Sequence, residues 1–217
     1  MKKELTELIY ILDRSGSMSG LEPDTIGGYN AFLEKQKSME GEAIITTVLF
    51  DDRYELLHDR VRLKDARPIS GQEYFVRGTT ALLDAIGHSV ERIKTAQKAA
   101  KKAARAKKVL FIITTDGMEN ASRTYDYDKI KTMVEKQKEK HGWEFVFIGA
   151  NIDAIKTAAQ FGVAANRAVE YRADKAGTRL MYETISNVTC GMHSAAPKAP
   201  PIMDGWKEEI EADNKRA

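Results

Sequence analysis

The chain has 217 residues, 42% hydrophobic and 30% charged, and its 34 Lys and Arg nearly balance 32 Asp and Glu, for a net charge of +2. This is the composition of a soluble globular domain with room for a substantial core; the near-neutral balance argues against a dedicated nucleic-acid binder, which carries a strong basic excess. A single cysteine, Cys190, rules out an intramolecular disulfide and a cysteine-based zinc site.

The first residues, MKKELTELIYILD, hold a short apolar run that contains Glu7 and ends in Asp13. A secretory signal needs an uninterrupted apolar stretch and a small-residue cleavage site, and no segment has the length and apolarity of a membrane span. The expected location is the cytoplasm. In chain order, Leu8 to Leu12 reads as a buried strand, and residues 22–39 place Ile26, Tyr29, Phe32 and Leu33 on one helix face. AIITTVLF, residues 43–50, is β-branched and apolar, a second strand, and residues 53–58 return from an Asp51-Asp52 turn as an antiparallel edge strand. Residues 60–78 are broken by Pro68, Gly71 and Gly78.

From Thr80 a long helix begins, with Leu82, Leu83, Ile86, Val90 and Ile93 on its apolar face, and its pattern continues into the Ala/Lys stretch near Arg105. VLFIIT, Val109 to Thr114, is almost purely apolar, as in a parallel strand covered on both faces. A charged surface helix over 126–140, a strand over 143–148, a short helix over 153–161, a strand near 167–171 and a helix over 173–190 complete the alternation. This pattern predicts an α/β fold: a doubly wound, mostly parallel sheet with helices on both faces and one antiparallel edge strand. The domain is expected over residues 1–194, and the Pro-containing, charged stretch 195–217 as a flexible extension with a helical turn around Trp206.

Chemistry concentrates in three short segments. The first strand runs into DRSGSMSG, where Asp13, Ser15 and Ser17 alternate at the carboxyl end of a strand, the edge at which open α/β sheets bind ligands. An Asp and two hydroxyls on one loop offer oxygen ligands to a hard cation such as Mg²⁺ or Mn²⁺. Gly78-Thr79-Thr80 precedes a helix, and Asp116 follows VLFIIT in TTDGMEN. If those two strands are neighbours, Asp13 and Asp116 face each other where the strand order reverses. The plain alternatives are a capped helix start at Asp13 to Ser17 and a simple turn at Asp116-Gly117.

These segments resemble the von Willebrand factor A family over roughly residues 5–170. DRSGSMS resembles the DxSxS loop of the family's metal-ion-dependent adhesion site, RGTTALLDAI the segment carrying its threonine, and TTDGMEN the segment carrying its second aspartate. The resemblance is to the single-domain, cytoplasmic type of bacteria or phages. It implies a Rossmann-like fold and a divalent cation, Mg²⁺ or else Mn²⁺ or Ca²⁺, held by Asp13, Ser15, Ser17, Thr80 and Asp116. Thr80 directly precedes the apolar helix start, as the family's threonine does; Gly78-Thr79 stands where the family often has Gly-Gly, so Thr79 is the alternative ligand. The resemblance further implies a binding module, not an enzyme, that grips an Asp or Glu side chain of a protein partner through the ion.

Two other functions are weighed against it. One is a scaffold whose metal is purely structural. The other is a phosphatase-like hydrolase with Asp13 as nucleophile; the haloacid-dehalogenase pattern places a second Asp two positions on, where this chain has Ser15, which protonates a leaving group poorly. No P-loop motif occurs. His58, His88, His141 and His193 show no metal-ligand spacing, and Met18 reads equally as a core residue or as part of a partner surface. Lys94, Lys98, Lys101, Lys102, Arg105 and Lys108 lie largely on one helical face, a solvated face or a contact for RNA or an acidic partner.

Overall fold

The computed structural model describes residues 4–195 and 202–216. Six strands, β1 (Thr6–Asp13), β2 (Ala43–Phe50), β3 (Tyr54–Arg62), β4 (Lys108–Thr115), β5 (Glu144–Gly149) and β6 (Ala168–Glu170), form one sheet in the order β3-β2-β1-β4-β5-β6. All pairings are parallel except β2 with β3, so β3 is the antiparallel edge strand. The helices are α1 (Glu22–Lys37), α2 (Leu82–Ala99), α3 (Tyr127–His141), α4 (Ala154–Gln160), α5 (Lys175–Ser194) and α6 (Glu208–Asn214). The expected doubly wound architecture is the one observed. No helix among the described residues is long and apolar enough to cross a membrane.

The near-continuous apolarity of the central strands follows from burial on both faces. In β1, Leu8, Tyr10 and Leu12 face a core completed by α1, α5 and α6, while Ile9 and Ile11 face one completed by α2, α3 and α4. β4 divides in the same way, with Leu110 and Ile112 on the first side and Val109, Phe111 and Ile113 on the second. On the first side α1 and α5 pack so closely that a Cβ at Gly28 would stand 2.1 Å from the Tyr182 ring.

From β1 the chain builds outward through β2 to β3 on one side; from β4 it builds through β5 to β6 on the other. The order therefore reverses between β1 and β4, which pair in register from Thr6↔Lys108 to Leu12↔Thr114. A crevice opens beyond the carboxyl ends at such a reversal, and Asp13 and Asp116 border it.

Two elements differ from the sequence pattern. The helix from Thr80 stops at Ala99 instead of continuing to Arg105. Arg105 folds back, its Nε donating to the Ala100 carbonyl at 3.1 Å and its Nη2 to that of Lys98 at 3.2 Å. These bonds satisfy carbonyls at the helix end while the backbone turns, and Lys107 N donates to Leu5 O at 2.9 Å as β4 begins. At the C-terminus, where composition suggested an extension, residues 202–216 lie against the domain: Ile202 and Ile210 are buried in the α1/α5 core, and Trp206 Nε1 donates to Asn166 O at 2.8 Å. Trp206 packs against the same core, and Lys207 Nζ donates to the carbonyls of Ala165 and Ala168 at 2.9 Å.

Candidate metal centre

Asp13 ends β1 fully buried, and the guanidinium of the neighbouring Arg14 pairs with Asp51 and Glu55. Asp13 Oδ1 accepts from Ser15 N at 2.6 Å, and its Oδ2 accepts from the Thr115 hydroxyl at 2.5 Å. The first bond folds the loop back over the strand end, and the second ties the carboxylate to β4. Burial pushes the Asp13 carboxyl up to about 6, outweighing the bonds from Thr115 and Ser15; the charge of Asp116 adds in the same direction. Burial also raises Asp116, opposed by its bond from Ser17.

Ser15 precedes a single 3-10 turn over Gly16–Met18, but its hydroxyl makes no capping bond. Instead Ser15 Oγ lies 3.1 Å from Ser17 Oγ, and Ser17 Oγ donates to Asp116 Oδ1 at 2.5 Å. The serine hydroxyls are therefore directed to one another and to Asp116, not to the backbone of a capped turn. Met18 is buried and belongs to the packing of the domain.

Thr80 is buried and Thr79 is exposed. Thr80 N donates to the Asn120 side chain at 2.9 Å, and Thr80 O accepts from Asn120 N at 3.0 Å and Ala121 N at 3.2 Å, locking this loop to the one after β4. The third residue of that assembly is Gly117. A Cβ there would stand 2.8 Å from Ser17 Oγ and 3.3 Å from Thr80 Oγ1. Gly117 therefore places the Ser17 and Thr80 hydroxyls at one spot beside Asp116, and the absence of a side chain keeps them there. The structure brings Asp13, Ser15, Ser17, Thr80 and Asp116 together and leaves Thr79 outside.

Further residues, not singled out from the sequence, hold the frame. The Tyr74 hydroxyl donates to Asp13 O at 2.7 Å from 61 positions away. Arg14, fully buried, donates to Asp51 at 3.2 Å, to Glu55, and to the Glu73 carbonyl at 3.3 Å. Arg77 joins the same Asp51 at 2.6 Å, and its backbone N donates to Arg14 O at 3.0 Å. The segment between β3 and α2 is thereby folded back to the carboxyl edge. Of these residues only Thr115 had a local signal, as the neighbour of Asp116 in TTDG; Tyr74 and Arg77 are joined to the site purely by tertiary contact.

The donor set fits a hard divalent cation. Two carboxylates and three hydroxyls supply oxygen only. Two buried carboxyls without a countercharge are costly unless protonated or neutralised by a cation. Asp116 Oδ2 is buried and has no hydrogen-bond partner, so one oxygen stands ready for a ligand. No cluster of three or more His, Cys, Asp or Glu suited to a metal occurs among the described residues; any ion here relies on the two aspartates plus hydroxyls.

No family model matches the chain, and no curated protein matches its sequence. Solved structures do match. A von Willebrand factor type A protein from Catenulispora acidiphila superposes with a TM-score of 0.58 at 15% identity over 87% of this chain and 43% of its own. The chain has the von Willebrand factor A fold. The ArnB paralog VWA2 from Sulfolobus acidocaldarius gives a TM-score of 0.53 at 17% identity, covering 86% of this chain and 45% of that one. Proximal thread matrix protein 1 from the mussel byssus, in a form with a zinc-occupied MIDAS motif, gives 0.55 at 14% identity, covering 86% and 46%. This chain spans less than half the length of each of these structures.

Proposed function

We propose that this chain is a metal-dependent protein-binding module in which Asp13, Ser15, Ser17, Thr80 and Asp116 hold a divalent cation, most simply Mg²⁺, that grips an acidic side chain of a partner. The observation that carries this reading is the pair of buried carboxylates, Asp13 and Asp116, joined by hydroxyls, with Asp116 Oδ2 left without a partner. The byssus protein with zinc in its MIDAS motif shows that a domain of this fold accommodates a divalent ion. When bound, the ion would supply a Lewis-acidic point able to accept one further oxygen ligand. The chain's own residues position that point: Asp13 and Asp116 provide charge, the hydroxyls of Ser15, Ser17 and Thr80 provide neutral oxygen, and Thr115 orients Asp13.

The surroundings favour binding over catalysis. The side chains that contact Asp13 and Asp116 are hydroxyls of Ser and Thr, which serve poorly as general acids. Three large apolar side chains are exposed at the carboxyl edge. Phe75 and Met118, exposed by 43% and 71%, sit on the loops that carry Arg77 and Asp116, and Ile155, exposed by 43%, begins α4 just beyond β5. Exposed apolar side chains around a charged centre are the composition of a protein interface, so the partner is expected to present an Asp or Glu flanked by apolar residues.

The test is a calorimetric titration of Mg²⁺ and Mn²⁺ into wild type and Asp13→Ala, followed by recovery of binding partners in Mg²⁺ and in chelator. Saturable metal binding lost in the variant, with a partner retained only when metal is present, is the expected result. Equal metal uptake by both proteins overturns the site, and partner binding indifferent to chelator overturns the grip. Metal-dependent hydrolysis of a generic phosphate ester that disappears in Asp13→Ala would replace the binding reading with a catalytic one.

A further inference from the structure

The N-terminus of α2 has no cap of its own. Its N-cap residue is Ala81, whose side chain offers no acceptor, so the first N–H groups of the helix must find partners elsewhere. Two of them find partners on the loop after β4. Leu83 N donates to Glu119 Oε2 at 2.9 Å, and Asp84 N donates to Ser122 Oγ at 3.0 Å. Glu119 and Ser122 stand three and six positions after Asp116.

The exchange runs both ways. Asp84, in the first turn of α2, accepts three N–H groups of the same loop: Arg123 N at 2.9 Å on Oδ2, and Thr124 N at 3.0 Å and Tyr125 N at 2.9 Å on Oδ1. Glu119 Oε1 accepts from Ala121 N at 2.9 Å and Ser122 N at 2.7 Å, and the Ser122 hydroxyl donates to Glu119 Oε2 at 2.8 Å. These bonds curl the loop into the shape that reaches Leu83. Both carboxylates are spent on hydrogen bonds between the two segments and within the loop.

A helix is ordinarily capped by the Ser, Thr, Asp or Asn at its own N-cap, which fixes the helix start and nothing else. Capping α2 from the loop after β4 makes the helix start and the loop one unit. That unit carries two candidate ligands, Thr80 just ahead of α2 and Asp116 at the beginning of the loop. The bonds that Thr80 makes to Asn120 and Ala121 use its backbone, so the place of its hydroxyl relative to Asp116 follows from how the two segments are set. A small divalent ion tolerates little error there, since Mg²⁺ demands near-ideal octahedral geometry at roughly 2.0–2.1 Å.

We propose that Glu119 and Asp84 are positioning residues of the candidate metal centre, a reciprocal clamp that sets the Thr80 hydroxyl against Asp116. The inference rests on the reading of Thr80 and Asp116 as metal ligands. Glu119 acts through them and not as a ligand, because its two oxygens already accept four hydrogen bonds. Partners that orient metal ligands are worth about 10–100-fold in metal affinity. The coupling is reciprocal: an ion held by Thr80 and Asp116 tightens the cap of α2, and the Leu83 amide then exchanges more slowly with solvent.

The test combines residue-resolved amide exchange in EDTA with calorimetric titration of Mg²⁺, on the full chain and on Glu119→Ala, Glu119→Gln, Thr80→Val and the Glu119→Ala/Thr80→Val double variant. Without metal, Glu119→Ala should speed exchange at Leu83 and also at Asn120 and Ala121, whose amides donate to Thr80 O. Its Mg²⁺ affinity should fall about tenfold, and Glu119→Gln, which keeps one acceptor oxygen, should recover part of the loss. The double variant should lose less than the product of the two separate losses, because Glu119 acts through Thr80. Wild-type exchange at Asn120 and Ala121, unchanged Mg²⁺ affinity in a folded but less stable Glu119→Ala, or losses that multiply would each overturn the clamp. Absence of Mg²⁺ binding by wild type would remove the metal centre itself, and the exchange rates would still decide whether Glu119 ties the two segments. Should Glu119→Ala fail to fold, as judged by its circular dichroism, Glu119→Gln and Asp84→Asn carry the same comparisons.

Discussion

Ser17 and Asp116 stand 99 positions apart in the sequence, and the Ser17 hydroxyl donates to Asp116 Oδ1 at 2.5 Å. One bond thus joins the loop after β1 to the loop after β4 across the point where the strand order reverses. It also joins a neutral hydroxyl to a carboxylate, and in the proposed site the two should contribute unequally to holding an ion. Charge–charge attraction exceeds charge–dipole attraction at short range. Asp13→Ala and Asp116→Ala should therefore lower Mg²⁺ affinity on the order of 100-fold, and Ser15→Ala or Ser17→Ala about tenfold. Calorimetric titration of the four variants measures the ranking, and equal losses across them would remove Asp13 and Asp116 from the role of principal ligands.

Thr80 and Thr79 separate cleanly. Thr80 is buried beside Ser17 and Asp116, whereas Thr79 is exposed. Thr80→Val keeps the shape and removes the hydroxyl, so it should weaken metal binding about as much as loss of a serine hydroxyl does, about tenfold. Thr79→Val should leave it unchanged. The opposite pattern in a metal titration would exchange the two assignments.

Gly117 can be probed without altering any of the five candidate ligands. In Gly117→Ala the new Cβ would meet Ser17 Oγ at 2.8 Å and Thr80 Oγ1 at 3.3 Å. The Ser17 side chain can rotate away, so the fold should survive with a melting temperature close to that of wild type, but its bond to Asp116 is then lost. Metal affinity is expected to fall by about tenfold. Affinity equal to wild type in a normally folded variant would show that the two hydroxyls need not converge.

The buried Asp13 makes stability without metal depend on pH in a particular sense. Its carboxyl is raised from 3.8 to about 6, burial being the main cause. Between those values the folded chain holds a proton that the unfolded chain has released, so the stability contribution is present in full below about pH 4 and is lost as pH rises through 6. The difference of roughly two pKa units corresponds to about 3 kcal/mol as an order of magnitude. Asp13→Asn should remove this dependence, and groups distant from Asp13 cancel when the two proteins are compared. Urea denaturation in EDTA at pH 4 and pH 7 measures it: relative to Asp13→Asn, wild type should be less stable at pH 7 than at pH 4. Added Mg²⁺ should restore wild type at pH 7 and leave the variant unmoved.

If ion and partner share one site, each must raise the affinity of the other by the same factor. Metal titrations with and without a bound partner should therefore differ for wild type. Phe75→Ser and Met118→Ser should weaken the partner while leaving metal affinity alone, because neither side chain supplies a ligand. Equal metal affinity with and without a tightly bound partner would mean that the partner docks elsewhere.

Much of this was legible in the sequence because local pattern and local chemistry coincide. The apolar runs at β1, β2, β4 and β5 are buried on both sides of the sheet, so their composition marks them regardless of neighbours. Asp13, Ser15 and Ser17 sit within five residues at a strand end, and Asp116 directly follows another such strand, so each segment of the site carries its own signature. The end of α2 was not legible, since its Ala/Lys pattern continues past Ala99 and only the side chain of Arg105 and the entry into β4 stop it. The docking of Ile202 and Ile210 was hidden too: the segment is short and mostly charged, and the burial of these residues depends on a core assembled from distant helices.

The remainder only the tertiary structure could decide. A residue's own sequence neighbours say nothing about what meets it across the sheet, so the locking of Thr80 to the loop after β4 and the clamp of Tyr74 on Asp13 from the segment after β3 became visible only in the fold. The same holds for the lysines of α2. On the sequence they form a solvated stripe; packing α3 against α2 turns part of that stripe into one wall of a groove. Sequence determined which groups are present and on which element each lies. Folding determined which of them share one small volume, and charge, burial and unsatisfied hydrogen bonds have their consequences only at that distance.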